Sequence, residues 1–100
     1  MIYATDNDFD SVIKVHNKVL VDFFATWCGP CRMLAPELEN VEEQNKDITI
    51  VKVDVDDCPN IAMRYRIDAI PCLIFFENGK PTKRTEGYAD AAAINKFVRG

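Results

Sequence analysis

Residues 19–31, Val-Leu-Val-Asp-Phe-Phe-Ala-Thr-Trp-Cys-Gly-Pro-Cys, constrain the fold of this chain more than any other stretch. Val19 to Ala25 is an apolar, β-prone run, which predicts a strand buried on both faces. One carboxylate, Asp22, is carried inside with it. Gly29 and Pro30 then break the strand, and Pro30 has the fixed φ that suits the first turn of a helix. The two cysteines therefore stand where a strand hands over to a helix. Three positions apart at a helix start, Cys28 and Cys31 share a face and lie within reach of a disulfide. The first sulfur can turn toward backbone N–H groups that the helix leaves unpaired. Together with the positive end of the helix dipole, these favour thiolate over thiol. Cys28 is thus expected to be the nucleophile, with a lowered pKa.

The rest of the chain supplies partners for that strand. Ile2 and Tyr3 predict a short edge strand, and Asp6 an N-cap for a helix whose stripe is Phe9, Val12, Ile13 and His16. His16, the sole histidine, reads as a packing residue on that stripe rather than a base. A second helix is expected from near Cys28 to about Gln44. It carries Met33, Leu34, Leu38 and Val41 inward, Glu37, Glu39, Glu42 and Glu43 outward, and a kink at Pro36. Ile48 to Asp54 reads as a second buried strand, which a helical crossover makes parallel to the first. Asp56, Asp57 and Cys58 before Pro59 mark the start of a short helix from Asn60 to Tyr65. Cys72 to Phe76 predicts a strand, Glu77-Asn78-Gly79-Lys80 a hairpin turn, and Thr82 to Glu86 the antiparallel return. Asp90 is expected to cap a last helix through Val98, with Ala93, Ile94, Phe97 and Val98 facing the sheet. The order β-α-β-α-β-α-β-β-α specifies an α/β chain, a mixed sheet covered by helices on both faces.

One hundred residues, 48% of them hydrophobic, suffice for one core and not two, so a single domain over residues 1–100 is expected. A net charge of −4 without a basic cluster argues against nucleic acid or an anionic membrane as partner, and no run reaches transmembrane length. The opening residues, Met-Ile-Tyr-Ala-Thr-Asp-Asn-Asp, lack the pattern of a secretory signal, which makes the cytoplasm the expected location. Four cysteines in a chain with this much core point to redox chemistry at Cys-x-x-Cys rather than to a disulfide-stapled scaffold.

Trp27-Cys28-Gly29-Pro30-Cys31 after Val-Asp-Phe-Phe-Ala, with Ile70-Pro71, Asn78-Gly79 and Gly87 downstream, resembles the thioredoxin family over nearly the whole chain. The resemblance implies the thioredoxin fold, a five-stranded mixed sheet flanked by four helices, and supplies its strand order. It also implies a monomeric protein-disulfide reductase acting on client proteins by dithiol–disulfide exchange. Such a reductant needs one thiol that attacks and a second that displaces the product, and Cys28 and Cys31 fit those roles in that order. The resemblance implies no cofactor on the chain itself. Electrons would come from NADPH through a thioredoxin reductase, a flavoprotein with FAD.

Burial should raise the pKa of Asp22 toward the range useful for proton transfer at neutral pH, which suits a base for Cys31. The other reading is a carboxylate that satisfies a buried backbone donor or pairs with Lys52, and the residues alone leave both open. In the family a buried Asp at this place assists the second cysteine, so the resemblance favours the base, with Lys52 beside it in the catalytic group. The family also has a cis proline at the position of Pro71, facing the dithiol, and the backbone of the residue before it, here Ile70, pairs with an extended substrate segment. Trp27, Gly29, Pro30, Ile70, Pro71, Gly87 and Tyr88 would then form an apolar docking patch around Cys28.

The chain departs from the family at Phe24, commonly tryptophan, and at Cys72, where threonine is usual. Cys72 reads either as a small buried hydrophobe or as a regulatory third thiol. Cys58, beside Asp57, should resist becoming a thiolate, with a regulatory or dimer-forming role as the alternative. A zinc site built from all four cysteines is the main non-redox reading. Only Cys28 and Cys31 have the knuckle spacing, and the proline between them favours a helix turn, so no metal is expected. A binding module that uses the apolar patch as a subunit of another enzyme is a further reading, compatible with redox activity.

Overall fold

The computed structural model describes residues 1–100. Its elements follow in the order β1 (Ile2–Tyr3), α1 (Phe9–Val15), β2 (Lys18–Phe24), α2 (Gly29–Gln44), β3 (Thr49–Asp54), α3 (Pro59–Arg64), β4 (Cys72–Glu77), β5 (Lys80–Glu86) and α4 (Ala91–Arg99). The strands form one sheet in the order β1-β3-β2-β4-β5. β1, β3 and β2 are parallel, β4 runs against β2, and β5 runs against β4. The expected mixed five-stranded sheet with four helices is the one observed.

The apolar run of β2 puts it at the centre of the sheet, because only a strand covered on both faces can bury side chains of both parities. Val19, Val21 and Phe23 pack with Phe9 and Ile13 of α1 and Ile61 of α3. Leu20 packs on the opposite face with Leu34, Leu38 and Val41 of α2 and Ile94 and Val98 of α4. Asp22 shares that second face and is fully buried.

The β4–β5 hairpin turns at Asn78 and Gly79, with φ of 53° and 81°. Both lie in the left-handed region, which is what makes Asn-Gly the favoured pair for such a turn. β5 is the polar edge strand, and two of its cations reach the ends of helices. Lys83 Nζ donates to the carbonyls of Phe97, Val98 and Gly100 at 3.1, 3.3 and 2.6 Å. Arg84 donates to those of Tyr65 and Arg66 at 2.6 and 2.9 Å. The terminal carbonyls of α4 and α3 have no partners within their own helices, so these cations both satisfy them and oppose the helix dipoles.

Several local expectations are corrected. Asp6 does not cap α1; the residue at that position is Asp8, and the turn before it is held by a reciprocal pair of bonds between Thr5 and Asp8. Asp6 instead accepts from the backbone N–H groups of Asn60 and Ile61 at 3.3 and 3.0 Å and so caps α3 from another part of the chain. Cys58, at the N-cap position of α3, makes no side-chain capping bond. Met33 is 62% exposed rather than inward, because the buried stripe of α2 is Cys31, Leu34, Leu38 and Val41, and Met33 sits a helical step of 100° round from Leu34. Ala93 is likewise exposed, one step round from Ile94. Glu37 is half-buried and accepts the backbone N–H of Ala91 at 2.8 Å, tying α2 to the start of α4.

Candidate active site

The junction of β2 and α2 presents the two cysteines. Cys28 is the N-cap of α2, in an extended conformation, with Pro30 in the first helical turn. Its Sγ accepts the backbone N–H of Cys31 at 3.2 Å, so the sulfur occupies the position that a capping oxygen would otherwise fill. Cys28 and Cys31 form a disulfide with Cα atoms 5.2 Å apart. Arg32 closes the turn by donating from Nη1 to the carbonyl of Thr26 at 2.9 Å.

Facing the pair is the loop before β4. The Ile70–Pro71 peptide is cis, and the Ile70 carbonyl oxygen stands 3.9 Å from Cys28 Sγ. Gly87 donates its N–H to the Pro71 carbonyl at 2.8 Å. Its φ of 92° favours glycine, and the space a Cβ would enter is empty. Trp27, Pro30 and Tyr88 are exposed, while Gly29, Ile70 and Gly87 are half-buried and Pro71 is buried. The fold therefore brings Ile70, Pro71 and Gly87 together beside Cys28. Trp27 lies on the other flank, its Nε1 donating to Asp56 Oδ2 at 2.9 Å. The sequence reading missed Asp56 as a partner for this indole. The available signal was a carboxylate-rich turn after β3, at the same end of the sheet as the turn after β2.

Asp22 and Lys52 are register partners on β2 and β3. Lys52 Nζ stands 3.6 Å from Asp22 Oδ2, with the side chains 6% and 0% exposed, and neither carboxylate oxygen has a hydrogen-bond partner. Burial pushes the Asp22 carboxyl up to about 6, with the nearby Lys52 ammonium opposing the shift. Asp22 is thus paired with Lys52, and its carboxyl is raised toward neutrality. A cavity of about 210 Å³ has Phe24, Cys31, Arg32, Ala35 and Lys52 in its wall, so the second cysteine and the partner of Asp22 open on one space. Asp22 itself is not in that wall.

Cys58 and Cys72 are free thiols buried in the layer beneath α1 and α3. Burial pushes both thiols up, reinforced at Cys58 by Asp6, Asp57 and Asp54, and opposed at Cys72 by Arg84. Cys58 Sγ donates to the Ala4 carbonyl at 3.4 Å. No three His, Cys, Asp or Glu side chains converge on a point that could hold a metal ion, so the four cysteines do not assemble a zinc set.

The family model described as Thioredoxin matches residues 1–100. The chain is 46% identical over 95 residues to the thioredoxin of Mycobacterium tuberculosis, covering 93% of this chain and 82% of that protein. It is 45% identical over 95 residues to a bifunctional thioredoxin reductase/thioredoxin of Mycobacterium leprae, covering 93% of this chain but 21% of that longer protein. Among solved structures, a mutant thioredoxin from Halobacterium salinarum superposes with a TM-score of 0.91 at 33% identity, over 98% of this chain and 87% of that one. A paired Cys-Gly-Pro-Cys at the head of α2, a cis proline facing it and these matches across the full length agree: this chain belongs to the thioredoxin family, and Cys28 and Cys31 are the redox-active pair of a thiol–disulfide oxidoreductase.

Proposed function

We propose that the chain is the reducing member of a dithiol relay, with Cys28 as the attacking and Cys31 as the resolving sulfur. The observation that carries this is the placement of Cys28 Sγ. It is held at the helix start by the Cys31 N–H and stands beside the Ile70 carbonyl, where an extended client segment can pair. In the reduced chain the Cys28 thiolate attacks one sulfur of a client disulfide and forms the mixed disulfide, and the first client thiolate leaves. Cys31 gives up its proton to the Asp22 carboxylate through Lys52, which lines the cavity with Cys31 and stands beside Asp22. Its thiolate then attacks Cys28 Sγ and expels the second client thiolate. Two electrons pass to the client, and the chain is left with the Cys28–Cys31 disulfide, the state described above.

Trp27, Gly29, Pro30, Ile70, Pro71, Gly87 and Tyr88 form the surface on which the client docks. A thioredoxin reductase restores the dithiol with electrons from NADPH, a reading supported by the M. leprae relative, whose name joins both activities in one chain. A reductant of this kind belongs where thiols are kept reduced, and we assign this one to the cytoplasm on that ground, and take it as a monomer on its family resemblance. Cys58 and Cys72 serve as packing residues.

The roles of the two cysteines are separable. Cys31→Ser should accumulate a stable mixed disulfide with a disulfide-containing client protein, seen by intact mass, whereas Cys28→Ser should trap none. Trapping through Cys31 in the Cys28→Ser variant would reverse the assignment.

A further inference from the structure

Tyr3, Lys52 and Asp22 stand in one row across β1, β3 and β2, each the register partner of the next. All three side chains therefore project from the same face of the sheet. Lys52 Nζ lies 4.4 Å from the centroid of the Phe24 ring and 5.9 Å from that of Tyr3. The two rings meet edge to face at 6.2 Å and so form two adjoining walls around the ammonium. On the third side is Asp22, at a distance outside hydrogen-bond reach.

A lysine one strand in from a sheet edge has an alternative, which is to run its stem outward and place the ammonium in water. Here the outward path crosses β1, and the residue of β1 in this row is Tyr3. Tyr3 is 67% exposed, so it contributes little to the core, yet its ring flanks the buried cation on that outward path.

We propose that Tyr3 and Phe24 are positioning residues for the exchange reaction, their rings holding the Lys52 ammonium inward against the Asp22 carboxylate. Neither ring touches the reacting sulfurs; each acts through Lys52. The catalytic consequence rests on Asp22 acting as the base for Cys31. Burial and Lys52, facing it from β3, set the ionisation of Asp22. Cys31 and Arg32 of α2 line the cavity beside Lys52, and the Cys72 thiol on β4 feels the Asp22 charge. The Met1 ammonium, at the start of β1, is occupied by Glu42 of α2 at 2.7 Å.

If the rings hold the cation, removing one lets the ammonium swing outward and leaves a fully buried carboxylate with a weaker counter-charge, so Asp22 should take up its proton at higher pH. The probe is the carbon-13 carboxyl signal of Asp22, titrated in the full chain for Tyr3→Leu, Tyr3→Phe and Phe24→Leu, beside the pH profile of client disulfide reduction. Tyr3→Leu should move the Asp22 midpoint upward by about half a pH unit, the size expected from losing one ring beside a cation. Phe24→Leu should move it further, since its ring is closer, and Tyr3→Phe should match the parent because the ring, not the hydroxyl, does the holding. An unmoved or lowered midpoint in Tyr3→Leu, or a Tyr3→Phe variant that behaves like Tyr3→Leu, overturns the proposal. A carboxyl midpoint that moves as expected while the pH profile stays fixed upholds the hold of the rings on Lys52 but removes Asp22 as the base, and with it the role of the rings in the exchange reaction.

Discussion

Asp22 has one cation at 3.6 Å and no hydrogen bond to either oxygen, so its charged form is held in the core on weak terms. Its folded-state pKa of about 6 stands above the ordinary 3.8, so the folded chain binds this proton more tightly than the unfolded chain does. The stability this contributes is complete below pH 4 and is lost as pH rises through 6. Asp22→Asn, which cannot ionise, should therefore unfold at higher urea than the parent at pH 7, by about 3 kcal/mol, with the gain shrinking toward zero near pH 4. The same variant should reduce client disulfides more slowly at neutral pH. Equal stability gains at both pH values would mean that the carboxylate is not the strained group.

The elements were legible in the chain because hydrophobic period and punctuation agree in it. Every strand and helix was found, with most ends within a residue or two, since Gly29-Pro30, Asn78-Gly79 and Asp90 mark their own boundaries. The capping of α3 was not legible, because its acceptor is Asp6, 54 residues from Asn60, and no local pattern reports a partner that distant. Pro59 has no N–H to offer, so the Asp6 carboxylate meets the next two donors of the helix. Asp6→Ala should lower the stability by about 1 kcal/mol, measured as a fall in the urea midpoint, and Asp6→Asn should recover most of it. An unchanged midpoint in Asp6→Ala would show that these donors are satisfied without the carboxylate. Met33 and Ala93 were misplaced for a different reason. Each lies one step from a buried stripe, and an apolar side chain there is equally compatible with core and surface until the packing partner is known.

Across the whole molecule, the site is assembled from parts far apart in sequence. The dithiol comes from the β2–α2 junction, the cis proline from the start of β4 and Gly87 from the end of β5. Cys28 and Cys31 could be read from spacing and helix chemistry alone. The facing loop, the sheet order and the preference for Asp22 as base came through family resemblance, because sequence spacing does not reveal which distant loops meet. The Trp27–Asp56 bond came from neither. The buried thiols illustrate the remaining gap. The neighbours of Cys58 and Cys72 in sequence leave packing and regulatory roles both open, and what the fold adds is that both thiols lie buried in the layer beneath α1 and α3. The central claim, a reducing Cys28–Cys31 pair acting alone among four cysteines, is tested most directly by equilibrating the folded protein across a graded thiol–disulfide buffer and counting alkylated thiols by intact mass. Cys28 and Cys31 should convert together in one step at a potential more reducing than the glutathione pool, with Cys58 and Cys72 protected until the chain unfolds. A pair that stays reduced until strongly oxidising conditions, or a separate step from Cys58 or Cys72 in the folded protein, would contradict it.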